Sequence, residues 1–234
     1  MALPKLNTPT YETVVPSTGE VIEFRPFLVK EEKILLLAQE SDSSREILKA
    51  MQEIIKTCTF DKLDVNKLAS YDLEYLFTQL RARSVGEQAD LKVKCESCGE
   101  YNSVSVDLTE VEVKFPEEKP ESTVMLNDQI GVTLRAIPVK SFDKFSEGND
   151  AAMAGEMLAA CIETIFDEDE VYTADDASDK EMEEFIDSLS RKQAQKIEDF
   201  ISKQPQLTHD IEFKCEHCGH INKVTLSGMN AFFE

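Results

Sequence analysis

Two short segments of this chain share one pattern, and that pattern limits the folds that the chain can adopt. Each segment consists of an alternating apolar and polar strand, the sequence Cys-x-x-Cys-Gly, and a second alternating strand. The first segment contains Cys95 and Cys98, and the second contains Cys215 and Cys218. Such a turn is called a knuckle, and it presents two thiolates to one metal ion. Its glycine can adopt the backbone conformation that the tight turn requires without steric strain.

Two knuckles on one chain together supply the four ligands that a structural zinc ion requires. We therefore predict one zinc ion per chain, shared by all four cysteines of the two knuckles. The predicted ligands are Cys95, Cys98, Cys215 and Cys218. A zinc ion held by four thiolates has no open coordination position, so this cofactor would be structural rather than catalytic.

Two other interpretations of the cysteine pairs stay open. Each knuckle could hold its own metal ion, because His209, His217 and His220 lie near the second knuckle, although the first has no histidine nearby. Alternatively, the pairs could be redox-active without any metal. Redox pairs of the thioredoxin kind lie at the N-terminus of a helix, where the helix dipole lowers the pKa of a thiol. Both pairs here lie between predicted strands, which favours the shared zinc site.

The segments ahead of the two knuckles also resemble each other. Phe24–Lys30 aligns without gaps with Leu134–Lys140, at an offset of 110 residues, and the arginine, valine and lysine positions match. A predicted hairpin precedes each of these joints, and predicted helices lead from each joint toward a knuckle. The order hairpin, helices, knuckle therefore occurs twice, and we predict an internal duplication.

The predicted fold class is α+β, built from two hairpin–helices–knuckle units that pack about a pseudo-twofold axis and share the four-cysteine zinc site. The first half spans residues 1–113, and the second spans residues 123–234. Residues 114–122 are charged and rich in proline, which predicts a linker. Residues 167–181 form an acidic insertion in the second half, which we predict to be a loop.

One helix of the second half is predicted to continue beyond Cys161. Its apolar face consists of Met157, Leu158, Cys161, Ile162 and Ile165. Cys58 occupies the corresponding place on a predicted helix of the first half. We interpret Cys58 and Cys161 as small buried apolar residues rather than as reactive thiols.

The charge of the chain excludes several classes of partner. Aspartate and glutamate number 46 and lysine and arginine 25, which gives a formal net charge of -21. Such a surface repels nucleic acid and anionic lipid. No apolar run approaches the roughly 20 residues that span a bilayer. The N-terminus lacks a basic region followed by an apolar stretch, so we expect no signal peptide and no membrane partner.

No motif in the sequence predicts catalysis. The chain contains no glycine-rich phosphate loop, no His-Glu-x-x-His and no Gly-x-Ser-x-Gly. We therefore predict that the protein is not an enzyme and has no small-molecule substrate. Zinc ribbons often bind nucleic acid, so a regulator that binds nucleic acid or a polymerase is the alternative function. The net charge of -21 disfavours that alternative.

Two runs of residues resemble a known family. They are RPFLVKEEKILL, from Arg25 to Leu36, and LRARSVGE, from Leu80 to Glu87, just ahead of the first knuckle. Both resemble the baseplate hub assembly family of T4-like contractile-tailed bacteriophages. The resemblance is strongest over residues 1–110 and extends along the chain.

This resemblance implies a non-enzymatic protein that helps to build the central hub of the tail baseplate, as an assembly chaperone or as a structural subunit. The implied partners are other baseplate hub or tail proteins of the phage. The implied location is the host cytoplasm during assembly, or the virion tail baseplate if the protein stays in the particle. The resemblance assigns no binding residues.

Overall fold

The computed structural model describes residues 6–41, 43–146, 148–228 and 231. They form a mixed α+β structure with two compact units. Unit 1 consists of Met1–Val65, Tyr71–Lys114 and Gln206–Glu234, as far as these are described. Unit 2 consists of Asn66–Ser70 and Phe115–Pro205. The α+β class agrees with the prediction.

Unit 1 contains three helices and three small antiparallel sheets among its described residues. The helices are α1 (Val29–Glu40), α2 (Ser44–Cys58) and α3 (Ser70–Ser84), of which Ser70 itself belongs to unit 2. The strands are β1 (Tyr11–Val14), β2 (Val21–Phe24), β3 (Gln88–Lys94), β4 (Tyr101–Asp107), β5 (Glu112–Lys114), β10 (Gln206–Lys214) and β11 (Ile221–Ser227). Strand β1 pairs with β2, β3 pairs with β4, and β10 lies between β11 and β5.

The two knuckle hairpins of unit 1 have the same register. Lys94 pairs with Tyr101 in the first hairpin, and Lys214 pairs with Ile221 in the second. The seven paired positions of β3 and β4 recur in β10 and β11 at an offset of 120 residues. Both hairpins also bury their inner faces in one apolar core. Its buried members are Ala82, Ala89, Leu91, Val106, Leu108, Val111, Leu207, Ile211 and Leu226.

Unit 2 contains one four-stranded antiparallel sheet and three α-helices among its described residues. The strands, in spatial order, are β6 (Thr123–Met125), β7 (Gly131–Leu134), β8 (Ile162–Phe166) and β9 (Val171–Thr173). The helices are α4 (Asp150–Cys161), α5 (Asp179–Asp187) and α6 (Arg191–Ser202). Short 3-10 helices span Val139–Lys144 and Ala174–Asp176, and a further one, Val65–Lys67, lies where the chain first passes between the units.

Two sequence-based predictions within unit 2 are wrong. Helix α4 ends at Cys161, so Ile162 and Ile165 belong to strand β8 instead of the predicted helix. The spacing of these two isoleucines is compatible with a helix and with a strand. Isoleucine is β-branched and favours strands, and β8 pairs with both β7 and β9, so the segment forms a strand. The acidic insertion 167–181 is not a simple loop, because it contains strand β9, a 3-10 helix and the start of α5.

The two joints that looked alike in sequence make the same backbone contact. The N–H of Arg25 donates to the carbonyl oxygen of Cys58 at 3.0 Å, and the N–H of Arg135 donates to that of Cys161 at 2.8 Å. Each bond links the residue after a hairpin to the last residue of a helix. Both cysteines are fully buried, as expected for small apolar core residues.

The two compact units differ from the two predicted halves, because each unit contains segments that are distant in sequence. The chain leaves unit 1 after Lys114, at the start of the predicted linker, and returns to it at Gln206. Hairpin β10–β11 therefore packs in the same unit as hairpin β3–β4, because the two share one apolar core. In the described part of the chain, every helix is too short or too polar to cross a bilayer.

Candidate metal centre

Each knuckle is a tight backbone turn that closes with the same two hydrogen bonds. In the first knuckle, the N–H of Cys95 donates to Glu100 and the N–H of Gly99 donates to the carbonyl of Cys95, both at 2.9 Å. In the second, Cys215 donates to His220 at 2.8 Å and Gly219 donates to Cys215 at 2.9 Å.

The glycine of each knuckle has a left-handed backbone. Gly99 has a φ of 76° and Gly219 has a φ of 75°, a conformation that glycine adopts without steric cost. The turn therefore requires the residue type that the sequence provides.

The two knuckles bring the four predicted ligands together. All four sulfur atoms lie within 4.8 Å of one another. The Sγ atoms of Cys95 and Cys218 are 3.7 Å apart, and so are those of Cys98 and Cys215. Four sulfurs at about 2.3 Å from a tetrahedral zinc ion lie about 3.8 Å from each other. Two of the six sulfur–sulfur separations are therefore close to the tetrahedral value, and the remaining four lie within 4.8 Å.

The cluster has a buried side and an open side. Cys95 and Cys215, the first cysteine of each knuckle, are buried, whereas Cys98 and Cys218 are exposed. The two exposed thiols are therefore accessible from solvent. The shared apolar core contains residues of both hairpins and so holds the two knuckles next to each other.

Two buried asparagines connect the knuckles crosswise. The backbone N–H of Glu96 donates to the side-chain oxygen of Asn222 at 3.0 Å, and the N–H of Glu216 donates to that of Asn102 at 2.9 Å. Each asparagine also donates from its amide nitrogen to a carbonyl of its own knuckle. The relative exposure is 3% for Asn102 and 0% for Asn222. These contacts give the cluster a local pseudo-twofold arrangement.

The backbone of each knuckle favours the thiolate form of its first cysteine. The N–H groups of Cys98 and Ser97, together with Asn222, hold the pKa of Cys95 below its usual value. Desolvation raises the pKa of Cys215, but the N–H groups of Cys218 and His217 outweigh it and lower that pKa to about 6. Thiolate is the form that binds metal ions.

The pKa of Cys98, the second cysteine of the first knuckle, is raised instead of lowered. The N–H of Glu100 lowers the pKa of Cys98, but desolvation and the neighbouring thiols outweigh this contact and raise it to about 12. Four thiols this close cannot all ionise alone, because like charges repel. A bound divalent cation removes that obstacle, so binding of the metal and release of protons are coupled.

The histidines near the second knuckle are not members of the cluster. Among the described residues, the group of candidate ligand atoms that meet here consists of the four thiols. His217 and His220 are exposed, and His209 lies in β10 opposite Leu226. This placement favours one shared site over two separate metal ions.

Three residues with structural roles were not predicted from the sequence, two in the knuckles and one in unit 2. Asn102 and Asn222 lie four residues beyond Cys98 and Cys218, at the same offset of 120 as the knuckles. That repetition was the available signal. Asp175 was also missed. It accepts from Arg135 at 2.7 Å and from Lys140 at 2.5 Å, but its position in the acidic insertion gave no sign of this pairing.

Comparison with known proteins identifies the family. The sequence profile of the family described as "T4 bacteriophage base plate protein" matches residues 8–234. The chain belongs to this family. The T4 base plate family match covers both knuckles and both joints, so the resemblance noted in the two sequence runs is confirmed.

One curated relative of the chain is the baseplate hub assembly protein gp26 of Enterobacteria phage T4. The two are 28% identical over 226 residues, which cover 96% of this chain and 98% of the relative. No solved structure matches the chain.

Proposed function

We propose that this protein is a non-enzymatic assembly factor, either a chaperone or a structural subunit, for the central hub of a phage tail baseplate. The observation that carries the proposal is the alignment over 96% of the chain with a protein named for baseplate hub assembly. The sequence offers no catalytic motif, which agrees with a scaffolding role. Other hub or tail proteins of the phage are the proposed partners.

One zinc ion, bound by Cys95, Cys98, Cys215 and Cys218, is the proposed structural cofactor. The separations of 3.7 Å between sulfurs support this, because they match a tetrahedral site. The proposed zinc ion joins the first knuckle to a hairpin near the C-terminus, across about 120 residues of chain. It would thereby hold unit 1 in one arrangement.

The chain arose, in this proposal, by internal duplication of a hairpin–helices–knuckle unit. The shared register of the two knuckle hairpins supports the duplication, and so do the equivalent bonds from Arg25 to Cys58 and from Arg135 to Cys161. A duplication accounts for equivalent contacts that occur twice in the same order along the chain. Residues 1–113 and 123–234 are the proposed halves, and residues 114–122 the linker.

Co-expression tests the proposed function. The full chain, carrying an affinity tag, is produced together with the other hub and tail proteins of its phage, then purified in about 150 mM salt, where exposed charge pairs are screened. We expect a stoichiometric complex with at least one hub protein. Retention on DNA that falls as salt rises, without any hub complex, would instead support a nucleic-acid regulator.

A further inference from the structure

Helix α1 has apolar side chains on more of its surface than the described part of unit 1 covers. Residues 34–37 of this helix are Ile-Leu-Leu-Leu, and four consecutive residues surround most of a helix, because each lies about 100° from the next. The helix packs against α2, and its buried residues are Glu31 and Ala38. A helix that is apolar on nearly all sides is usually covered on all sides.

The side of α1 opposite these buried residues is its outer face, and it is exposed. It consists of residues three or four positions apart, namely Val29, Lys33, Leu36, Leu37 and Glu40. The relative exposure is 64% for Val29, 52% for Leu36 and 67% for Leu37. Removal of such neighbouring aliphatic side chains from water is favourable, so the outer face can form a hydrophobic contact with another protein.

The outer face also carries one positive and one negative charge, placed symmetrically about its two leucines. Lys33 lies three residues before Leu36, and Glu40 lies three residues after Leu37. Among the described residues, neither charge has an opposite charge at salt-bridge distance.

This symmetry makes the outer face complementary to a second copy of itself. In an antiparallel pair of α1 helices, the register that places Leu36 against Leu37 of the second copy also places Lys33 beside its Glu40. The reciprocal contacts follow from the twofold axis, as in other isologous interfaces. A parallel pair would instead bring each charge next to its own kind, which is unfavourable.

We propose that the outer face of α1 is the contact surface of a homodimer, in which the two α1 helices pack antiparallel about a twofold axis. Leu36 and Leu37 of both copies form the apolar centre. Two ion pairs between Lys33 and Glu40 flank this centre and set the orientation. The inference goes beyond the proposed function and does not depend on it.

The net charge of -21 limits the strength of this dimer but does not prevent it. At about 0.15 M salt the Debye length is about 8 Å, so repulsion between distant surface charges is largely screened. The outer face of a twelve-residue helix is also small compared with the roughly 800 Å² per partner of a standard interface. We therefore expect a dissociation constant in the micromolar range.

Sedimentation equilibrium of the chain tests the dimer. Between about 1 and 300 µM protein in about 150 mM salt, the average mass should rise from that of the 26.4 kDa chain toward twice this value. Leu37→Glu should weaken association at least about 10-fold, because it places a charge in the apolar contact. Val171→Glu, at a similarly exposed apolar position of unit 2, is the matched control and should leave association unchanged.

Exchange of the two charges distinguishes the antiparallel pair from other contacts. Lys33→Glu and Glu40→Lys should each weaken association at least about 10-fold, because like charges then face each other. The double variant restores opposite charges and should dimerise like the wild type, and an equimolar mixture of the two single variants should form a mixed dimer. Net charge alone predicts otherwise, since Glu40→Lys makes the chain less negative and would strengthen a dimer limited only by repulsion.

Three results would overturn the proposal. They are a chain that stays monomeric throughout this concentration range, a dimer that Leu37→Glu leaves intact, and a double charge variant that associates as weakly as the single variants. If the chain is monomeric and Leu37→Glu abolishes the hub complex on co-expression, the outer face belongs to a hub protein instead. Formation of that complex by the wild-type chain is a separate result, so failure of this inference is distinguishable from failure of the proposed function.

Discussion

The side-chain oxygen of Asn222 accepts the backbone N–H of Glu96, on the opposite knuckle, at 3.0 Å. Asn102 makes the reciprocal bond to Glu216 at 2.9 Å. Both asparagines are buried, so loss of either one leaves an N–H group beside the cluster without its acceptor. The asparagines therefore hold the two turns in the arrangement that the four thiols need.

Substitution of either asparagine by alanine should weaken zinc binding. We expect the zinc dissociation constant to rise about 10-fold to 100-fold, the range found when groups that orient metal ligands are removed. Competition with a chromogenic chelator measures this. Asn102→Ala and Asn222→Ala should have similar effects, because their contacts are equivalent, while Ser103→Ala at an exposed position of β4 serves as the control. An effect confined to one asparagine would contradict the reciprocal arrangement.

The chain should bind one zinc ion, and both knuckles should be required. Cys95→Ser and Cys215→Ser should each abolish stoichiometric binding, because each leaves three thiolates. Cys58→Ala and Cys161→Ala should leave the stoichiometry unchanged and cost only packing energy, since both residues lie in the core. Native mass spectrometry after purification without chelator provides the count. Two zinc ions per chain, or zinc retained in one of the two serine variants, would refute the shared site.

Loss of the zinc ion should loosen unit 1 without unfolding it. The apolar core shared by the two knuckle hairpins remains when the metal is removed, so strands β3 and β10 should stay paired with their neighbours. The turns themselves, Cys95–Glu100 and Cys215–His220, should open more often. Hydrogen exchange with and without chelator measures this, and complete loss of protection throughout unit 1 would contradict it.

Local patterns explain how much of this structure could be predicted. The knuckles, the first hairpin and the joints follow from turn residues, alternation and a repeated motif, all of which are local in sequence. Strand β8 was mistaken for helix because Ile162 and Ile165 fit a helical period as well as a strand. Which period wins depends on β7 and β9, and pairing between strands is not visible in a single segment.

The residues of the candidate site were likewise only partly predictable from the sequence. The four cysteines were predictable because ligand type and spacing define a zinc knuckle. Asn102 and Asn222 repeat at the offset of the knuckles, but a polar residue in a strand usually faces solvent, so the repeat alone did not predict their burial where the two knuckles cross. Asp175 likewise acquires its role from Arg135, a residue 40 positions away. Contacts between residues that are distant in sequence depend on the tertiary structure, so composition and hydrophobic periodicity do not predict them.

The chain should not bind DNA specifically. Its net charge of -21 opposes the phosphate backbone, and the exposed knuckle positions include Glu96 and Glu216. Electrophoretic mobility of a mixed pool of duplex DNA, with zinc-loaded protein in about 150 mM salt, should be unchanged up to micromolar concentrations. A complex that forms at lower protein concentration and resists added salt would contradict this expectation.

Acid should weaken unit 1 through Glu31. This carboxylate is 3% exposed and accepts from Arg25 and from the backbone N–H of Leu28, both at 2.8 Å. Desolvation raises the pKa of Glu31, but Arg25, Leu28 and Lys30 outweigh it and lower the pKa from 4.5 to about 2. A pKa that is lower in the folded state means that the carboxylate stabilises the fold above pH 4.5 and loses this effect as the pH falls toward 2.

Glu31→Gln should therefore reduce the free energy of unfolding by about 3 kcal/mol at pH 7, the value that the lowered pKa implies, and by progressively less as the pH falls below 4.5. Urea denaturation at a series of pH values measures the difference from the wild type. Glu32→Gln, at the exposed neighbouring position of α1, is the matched control and should change stability little at any pH. A loss for Glu31→Gln that stays constant between pH 7 and pH 2 would mean that packing, rather than the ion pair with Arg25, accounts for the contribution of this residue.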